Sequence, residues 1–102
     1  MTYRLKPTYN LKKLKEAFND VYKLLMTSSA KQGQVSLGFS DYDVVNAIQN
    51  LKTTDFIKSM KPVNKKFTAW QDVYKSRFNG IELYIKFQIN FKKEIILSFK
   101  EK

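Results

Sequence analysis

The sequence contains no cysteine and no histidine, and each absence removes a body of chemistry. Without cysteine there are no disulfides, iron–sulfur clusters, thiolate zinc sites or Cys nucleophiles. Without histidine there is no triad base, no imidazole metal ligand and no side chain whose ordinary pKa lies near 7. Most familiar hydrolase chemistry is thereby excluded, and no metal or cofactor is expected. Three glycines and two prolines are too few for an unstructured spacer. No apolar run exceeds three residues, the longest being Leu24-Leu25-Met26, Leu83-Tyr84-Ile85 and Ile95-Ile96-Leu97, so no transmembrane helix and no membrane partner are expected. The opening Met1-Thr2-Tyr3-Arg4-Leu5-Lys6-Pro7 lacks the apolar stretch of a signal peptide, and the expected location is cytoplasmic.

What remains is apolar, aromatic and basic. The 102 residues suit one domain, 1–102, and 43% hydrophobic with 15% aromatic content calls for a packed core. Such a chain buries roughly 60% of its unfolded surface, enough for a core without staples. Nineteen Lys and Arg against nine Asp and Glu leave a formal charge of +10. Residues 51–102 carry 12 basic and 5 acidic side chains, hence +7 of that excess. A polyanionic partner follows, nucleic acid first and an acidic protein second.

Periodicity divides the chain into helices and then strands. Leu11, Leu14, Phe18, Val21, Leu24 and Leu25 recur at helical steps and predict a helix over residues 11–26 with Asn10 as its cap. Residues 28–38 are poorly patterned and suggest one helical turn. Ser40-Asp41-Tyr42-Asp43 resembles a capping box and opens a helix carrying Val44, Val45, Ala47, Ile48 and Leu51. Beyond Thr54 the period falls to two, with strands expected over 55–63, 67–75, 81–89 and 94–100. Asn79-Gly80 is a type I′ hairpin signal, and 90–93 a further turn. The fold class is α+β, N-terminal helices packed on one face of an antiparallel sheet.

Alternation also sorts the side chains by face. Ile81, Leu83, Ile85, Phe87 and Ile89 must meet the helices, which leaves Tyr84 on the open side between Glu82 and Lys86. Ile95, Leu97 and Phe99 are the core set of the last strand, so Ser98 and Lys100 join Tyr84. Lys58 shares parity with Met60, and Gln71 with Val73 and Lys75. If those sets face outward, one surface collects Lys58, Gln71, Lys75, Tyr84 and Lys100. Trp70 and Tyr74 have the opposite parity to Gln71 and are expected in the core.

Four ordered blocks carry a resemblance: Asp55-Phe56-Ile57-Lys58-Ser59-Met60, Trp70-Gln71-Asp72-Val73-Tyr74, Leu83-Tyr84-Ile85-Lys86 and Ser98-Phe99-Lys100-Glu101-Lys102. With Asp41-Tyr42-Asp43 and Leu51 upstream, they resemble the MqsR (motility quorum-sensing regulator) family of type II toxin–antitoxin toxins. The resemblance implies a RelE-like fold and an endoribonuclease, an mRNA interferase, that cuts messenger RNA at short GC-containing sites without the ribosome. It implies a zinc-containing MqsA-like antitoxin as partner, with DNA reached only through that antitoxin. Position by position it places the active site on Lys58, Gln71, Tyr84 and Lys100, with Met60 beside them. Ile57 stands where the family can have Tyr, and Lys75 where it can have Arg. The stretch 61–67 is notably basic, with Lys61, Lys65 and Lys66.

A chain without histidine can still cleave RNA, because the substrate supplies its own nucleophile in the 2′-OH. That hydroxyl must lose a proton, the phosphorane charge must be offset, and the leaving 5′-oxygen must gain a proton. Crowded lysines can serve, since like charges lower one another's pKa. Lys58 and Lys100 are candidates for acid, base and phosphate stabilisation, Tyr84 for orienting the 2′-OH or phosphate, and Gln71 for a hydrogen bond to phosphate or base. Met60, Lys61, Lys65, Lys66 and Lys75 are candidates for RNA binding, the lysines by tracking the backbone. Two other classes use the same surface: a non-catalytic RNA-binding module, and a protein-binding domain with an acidic partner.

Overall fold

Asn79 and Gly80 both take positive φ, 52° and 78°, the backbone a two-residue I′ hairpin requires. They join β3 (Gln71–Phe78) to β4 (Ile81–Ile89), with Phe78 directly opposite Ile81. The computed structural model describes residues 3–61, 69–90, 92 and 94–101. Around that hairpin the chain builds a five-stranded antiparallel sheet in sequential order: β1 (Tyr3–Arg4), β2 (Phe56–Met60), β3, β4 and β5 (Ile95–Glu101). Helices α1 (Leu11–Ala17), α2 (Ser28–Leu37) and α3 (Asp41–Gln49) complete the α+β architecture.

The core lies between helices and sheet. Leu14, Phe18, Ala30, Val44, Ala47, Ile48 and Leu51 pack against Tyr74, Leu83, Ile85, Phe87, Leu97 and Phe99. Phe87 holds the centre, its ring 5.8 Å from those of both Phe18 and Tyr74. A void of about 10 Å³ is left among Phe39, Val44, Ile48, Leu83 and Phe99, too small for a ligand. Burial together with the Asp72 carboxylate pushes the Tyr74 hydroxyl up to about 12, burial being the larger cause.

The capping box at Ser40 is present in both directions: Asp43 N–H donates to the Ser40 hydroxyl, and Ser40 N–H donates to the Asp43 carboxylate. The helix expected over 11–26 is shorter. It ends at Ala17, and Asp20 caps a separate 3-10 turn, Val21–Lys23, by accepting from the Tyr22 N–H at 2.9 Å. The apolar trio that follows leaves the helical path to cover the outer edge of β5. Leu97 N–H donates to the Leu25 carbonyl at 2.8 Å and Thr27 N–H to the Leu97 carbonyl at 3.0 Å. An exposed strand edge needs such cover. Residues 28–38, expected to form a single turn, form the ten-residue α2. Thr27 caps it and Gly38 ends it with φ 70°. Its pattern is weak because only Ala30 and Gln34 are buried.

β2 begins at Phe56 rather than Asp55, which closes a 3-10 turn, and β3 runs to Phe78, three residues past its expected end. Residues 62–68 of the expected strands lie outside the described residues. β1 was not anticipated at all. It pairs Tyr3 with Met60 and Arg4 with Ser59, and a buried anion clamps the chain behind it. Asp72, fully buried on the core side of β3, accepts from the N–H of Thr8 at 2.9 Å and of Tyr9 at 2.8 Å. The Tyr9 hydroxyl donates to the Trp70 carbonyl at 2.6 Å and accepts from Ile89 N–H at 3.2 Å.

Candidate functional site

Phe56 and Lys58 have the same parity, so in a regular strand both would face the core or both the open side. A bulge separates them. Phe56 pairs with Tyr74 while Lys58 pairs with Val73, leaving Ile57 without a partner in the register. Phe56 therefore packs edge-on to the Tyr74 ring in the core, at 5.5 Å, and Lys58 emerges on the opposite face. Bulges re-aim side chains in this way.

The register then assembles two rows across the open face. One runs Lys58, Val73, Lys86, Ser98; the next runs Lys75, Tyr84, Lys100. Direct partners lie about 5 Å apart and diagonal ones about 7–8 Å. Lys100 is thus a direct neighbour of Tyr84 and a diagonal neighbour of Lys86. Val73 is only 4% exposed although it points away from the core, consistent with cover from the lysine stems beside it.

These rows enclose a cleft of about 310 Å³ lined by Ile57, Lys58, Met60, Val73, Tyr84, Lys86 and Lys100. A second depression of about 320 Å³ continues past Lys86 and Lys100 to the flank of α2, where Ser29, Gly33 and Ser36 meet Ser98. Burial, and then the charges of Lys100 and Lys58, push the Lys86 ammonium below the ordinary lysine value. Lys58 also stands over the ring of Tyr3, its Nζ 5.9 Å from the centroid, so the β1 arm forms part of the cleft's border.

The structure brings Lys58, Met60, Tyr84 and Lys100 together around this cleft. Gln71 lies on the same face between Met60 and Gln88, outside the cleft lining, and its amide donates to the Gln88 Oε1 at 3.3 Å. Lys75 is opposite Tyr84. Lys61 is exposed further out, 6.0 Å over the Trp70 ring, and Lys65 and Lys66 lie outside the described residues. Tyr74 is buried in the core as expected. Trp70 is not: it is half-buried just before β3, with the guanidinium of Arg4 from the edge strand β1 4.2 Å above its ring. Lys86 is the residue sequence reasoning passed over. Alternation had put it on the open face two residues from Tyr84, but nothing local marks it as central.

The sequence profile of the family described as motility quorum-sensing regulator, toxin of MqsA, matches residues 6–101. The chain belongs to the MqsR toxin family. A curated relative, the mRNA interferase toxin MqsR of Escherichia coli (strain K12), is 37% identical over 76 residues, covering 74% of this chain and 76% of the relative. The matched span of this MqsR-family chain contains every strand that contributes to the cleft except β1. No helix among the described residues is long and apolar enough to cross a membrane.

Proposed function

We propose that this MqsR-family chain is an mRNA interferase, the toxin of a type II toxin–antitoxin pair, which cleaves RNA by attack of the ribose 2′-OH on the adjacent phosphate. One observation carries the reading: three lysines and a tyrosine share a cleft whose lining, among the described residues, contains no carboxylate. Among the described residues, a phosphate entering there meets cationic and neutral groups. Lys58 and Lys100 offset the charge gathering on the phosphorane and supply a proton to the departing 5′-oxygen. Tyr84, beside Lys100, hydrogen-bonds the 2′-OH or a phosphate oxygen. Gln71 meets the flanking base or phosphate, Met60 packs against a base, and Lys61, Lys65, Lys66 and Lys75 follow the backbone.

All of these groups come from one chain, which supports cleavage of free RNA without the ribosome. The 2′-OH mechanism also asks for no metal. Short GC-containing sites and a cognate MqsA-like antitoxin complete the proposal, since a free cellular RNase of this kind needs neutralising.

The test is purified protein incubated with a defined RNA in EDTA. The expected products end in 2′,3′-cyclic phosphate and 5′-hydroxyl. A 5′-phosphate product would mean attack by water and overturn the mechanism. Salt-dependent binding without cleavage would leave an RNA-binding module, and no RNA affinity would leave a protein-binding domain.

A further inference from the structure

Lys86 sits where the two rows of basic residues meet. Its register partners are Val73 on β3 and Ser98 on β5, with Lys58 one strand beyond Val73 and Lys100 on the diagonal. It lines both depressions of the open face, and so forms part of the wall between them together with Lys100. Among the described residues, the charged groups facing it from the neighbouring elements are all basic. β2 offers Lys58, β3 offers Val73 with Lys75 further along, β5 offers Ser98 and Lys100, and α2 offers Ser29 and Ser36. On its own strand Tyr84 and Gln88 flank it, and Glu82 stands four residues away, about 13 Å along the strand. Asp72 is on the other face. Among the described residues no carboxylate lines either depression, and burial, then the charges of Lys100 and Lys58, lower the Lys86 pKa.

We propose that Lys86 is the general base of this site, the amine form of its side chain taking the proton from the 2′-OH. This rests on the endoribonuclease reading above. The 2′-oxygen then forms its bond to phosphorus, the phosphorus–5′-oxygen bond breaks, and the 5′-oxygen receives a proton from the ammonium of Lys58 or Lys100. Lys86 gains one proton, the acid loses one, and exchange with water restores both. The division of labour follows from position. The central lysine, hemmed in by two others, is the one whose charged form burial and its neighbours disfavour, while the outer two meet the phosphate.

Lys86→Arg separates this role from simple charge, because a guanidinium binds phosphate but does not act as a base. At saturating RNA, the single-turnover rate is expected to fall roughly 10²-fold or more in both Lys86→Arg and Lys86→Met. RNA affinity of Lys86→Arg should stay near wild type. In the wild type the rising limb of the pH–rate profile should coincide with the Lys86 Cε titration followed by ¹³C NMR, assigned by its loss in Lys86→Arg. Lys58→Ala should move that titration to higher pH. Wild-type cleavage by folded Lys86→Arg, or a Lys86 titration far from the kinetic limb, would overturn the base assignment and leave the endoribonuclease reading intact. Uncleaved RNA with the wild-type protein would overturn both.

Discussion

Tyr84 and Lys100 are direct cross-strand partners, so their side chains leave the same face of the sheet, while Leu83 and Phe99, one residue back on each strand, point into the core. Adjacent positions thus divide between chemistry and stability. Lys58→Ala, Tyr84→Ala and Lys100→Ala should each reduce RNA cleavage by roughly 10²-fold. Each should alter folding by less than about 1 kcal/mol. Leu83→Ala should cost ~2–5 kcal/mol through a core cavity and lose activity only as the protein unfolds. Cleavage rates beside urea denaturation curves check the contrast.

Replacing Lys86 by methionine should stabilise the fold while abolishing cleavage. A lysine whose folded pKa is lowered binds its proton less readily than in the unfolded chain, so it destabilises wherever the unfolded chain is protonated. The gain in Lys86→Met should be full at neutral pH and fade as pH rises toward the unfolded lysine value of about 10.5. Thermal melts across pH 7–11 read this directly.

Tyr74 gives the opposite sign. With its folded pKa raised to about 12, its neutral hydroxyl contributes stability that is whole below the unfolded tyrosine pKa and lost as pH climbs to 12. Tyr74→Phe should flatten the alkaline loss of stability over that window, measured by denaturation at stepped pH.

Asp72 is buried and holds the arm behind β1 by two backbone N–H groups. Asp72→Ala should cost ~2–4 kcal/mol by leaving both donors without their acceptor. Amide exchange at Thr8 and Tyr9 should accelerate well beyond that at Ile85.

Neutralising Lys61, Lys65 and Lys66 together should weaken RNA binding and lower the slope of log affinity against log salt by about two. The single-turnover rate at saturating RNA should hold. A large fall in that rate would assign this stretch to the reacting centre.

The strict alternation of β4 determined by itself that Tyr84 and Lys86 oppose Leu83, Ile85 and Phe87, because a period of two is a local property of extended backbone. Asn79-Gly80 likewise determined its hairpin, and Ser40 with Asp43 its helix start, since turns and caps are chemistry within four residues. Local pattern failed at Leu24 and Leu25, whose helical spacing gave way to the bonding needs of the β5 edge. It was silent on β1, which exists through contacts more than fifty residues away in sequence. For the site, composition and parity could nominate Lys58, Tyr84 and Lys100. Only the tertiary structure could introduce the Ile57 bulge, align Lys58 with Val73 and Lys86, and put Lys86 between two other cations. Strand register is decided by packing between distant segments, and which lysine has its charged form disfavoured depends on neighbours that only the register supplies.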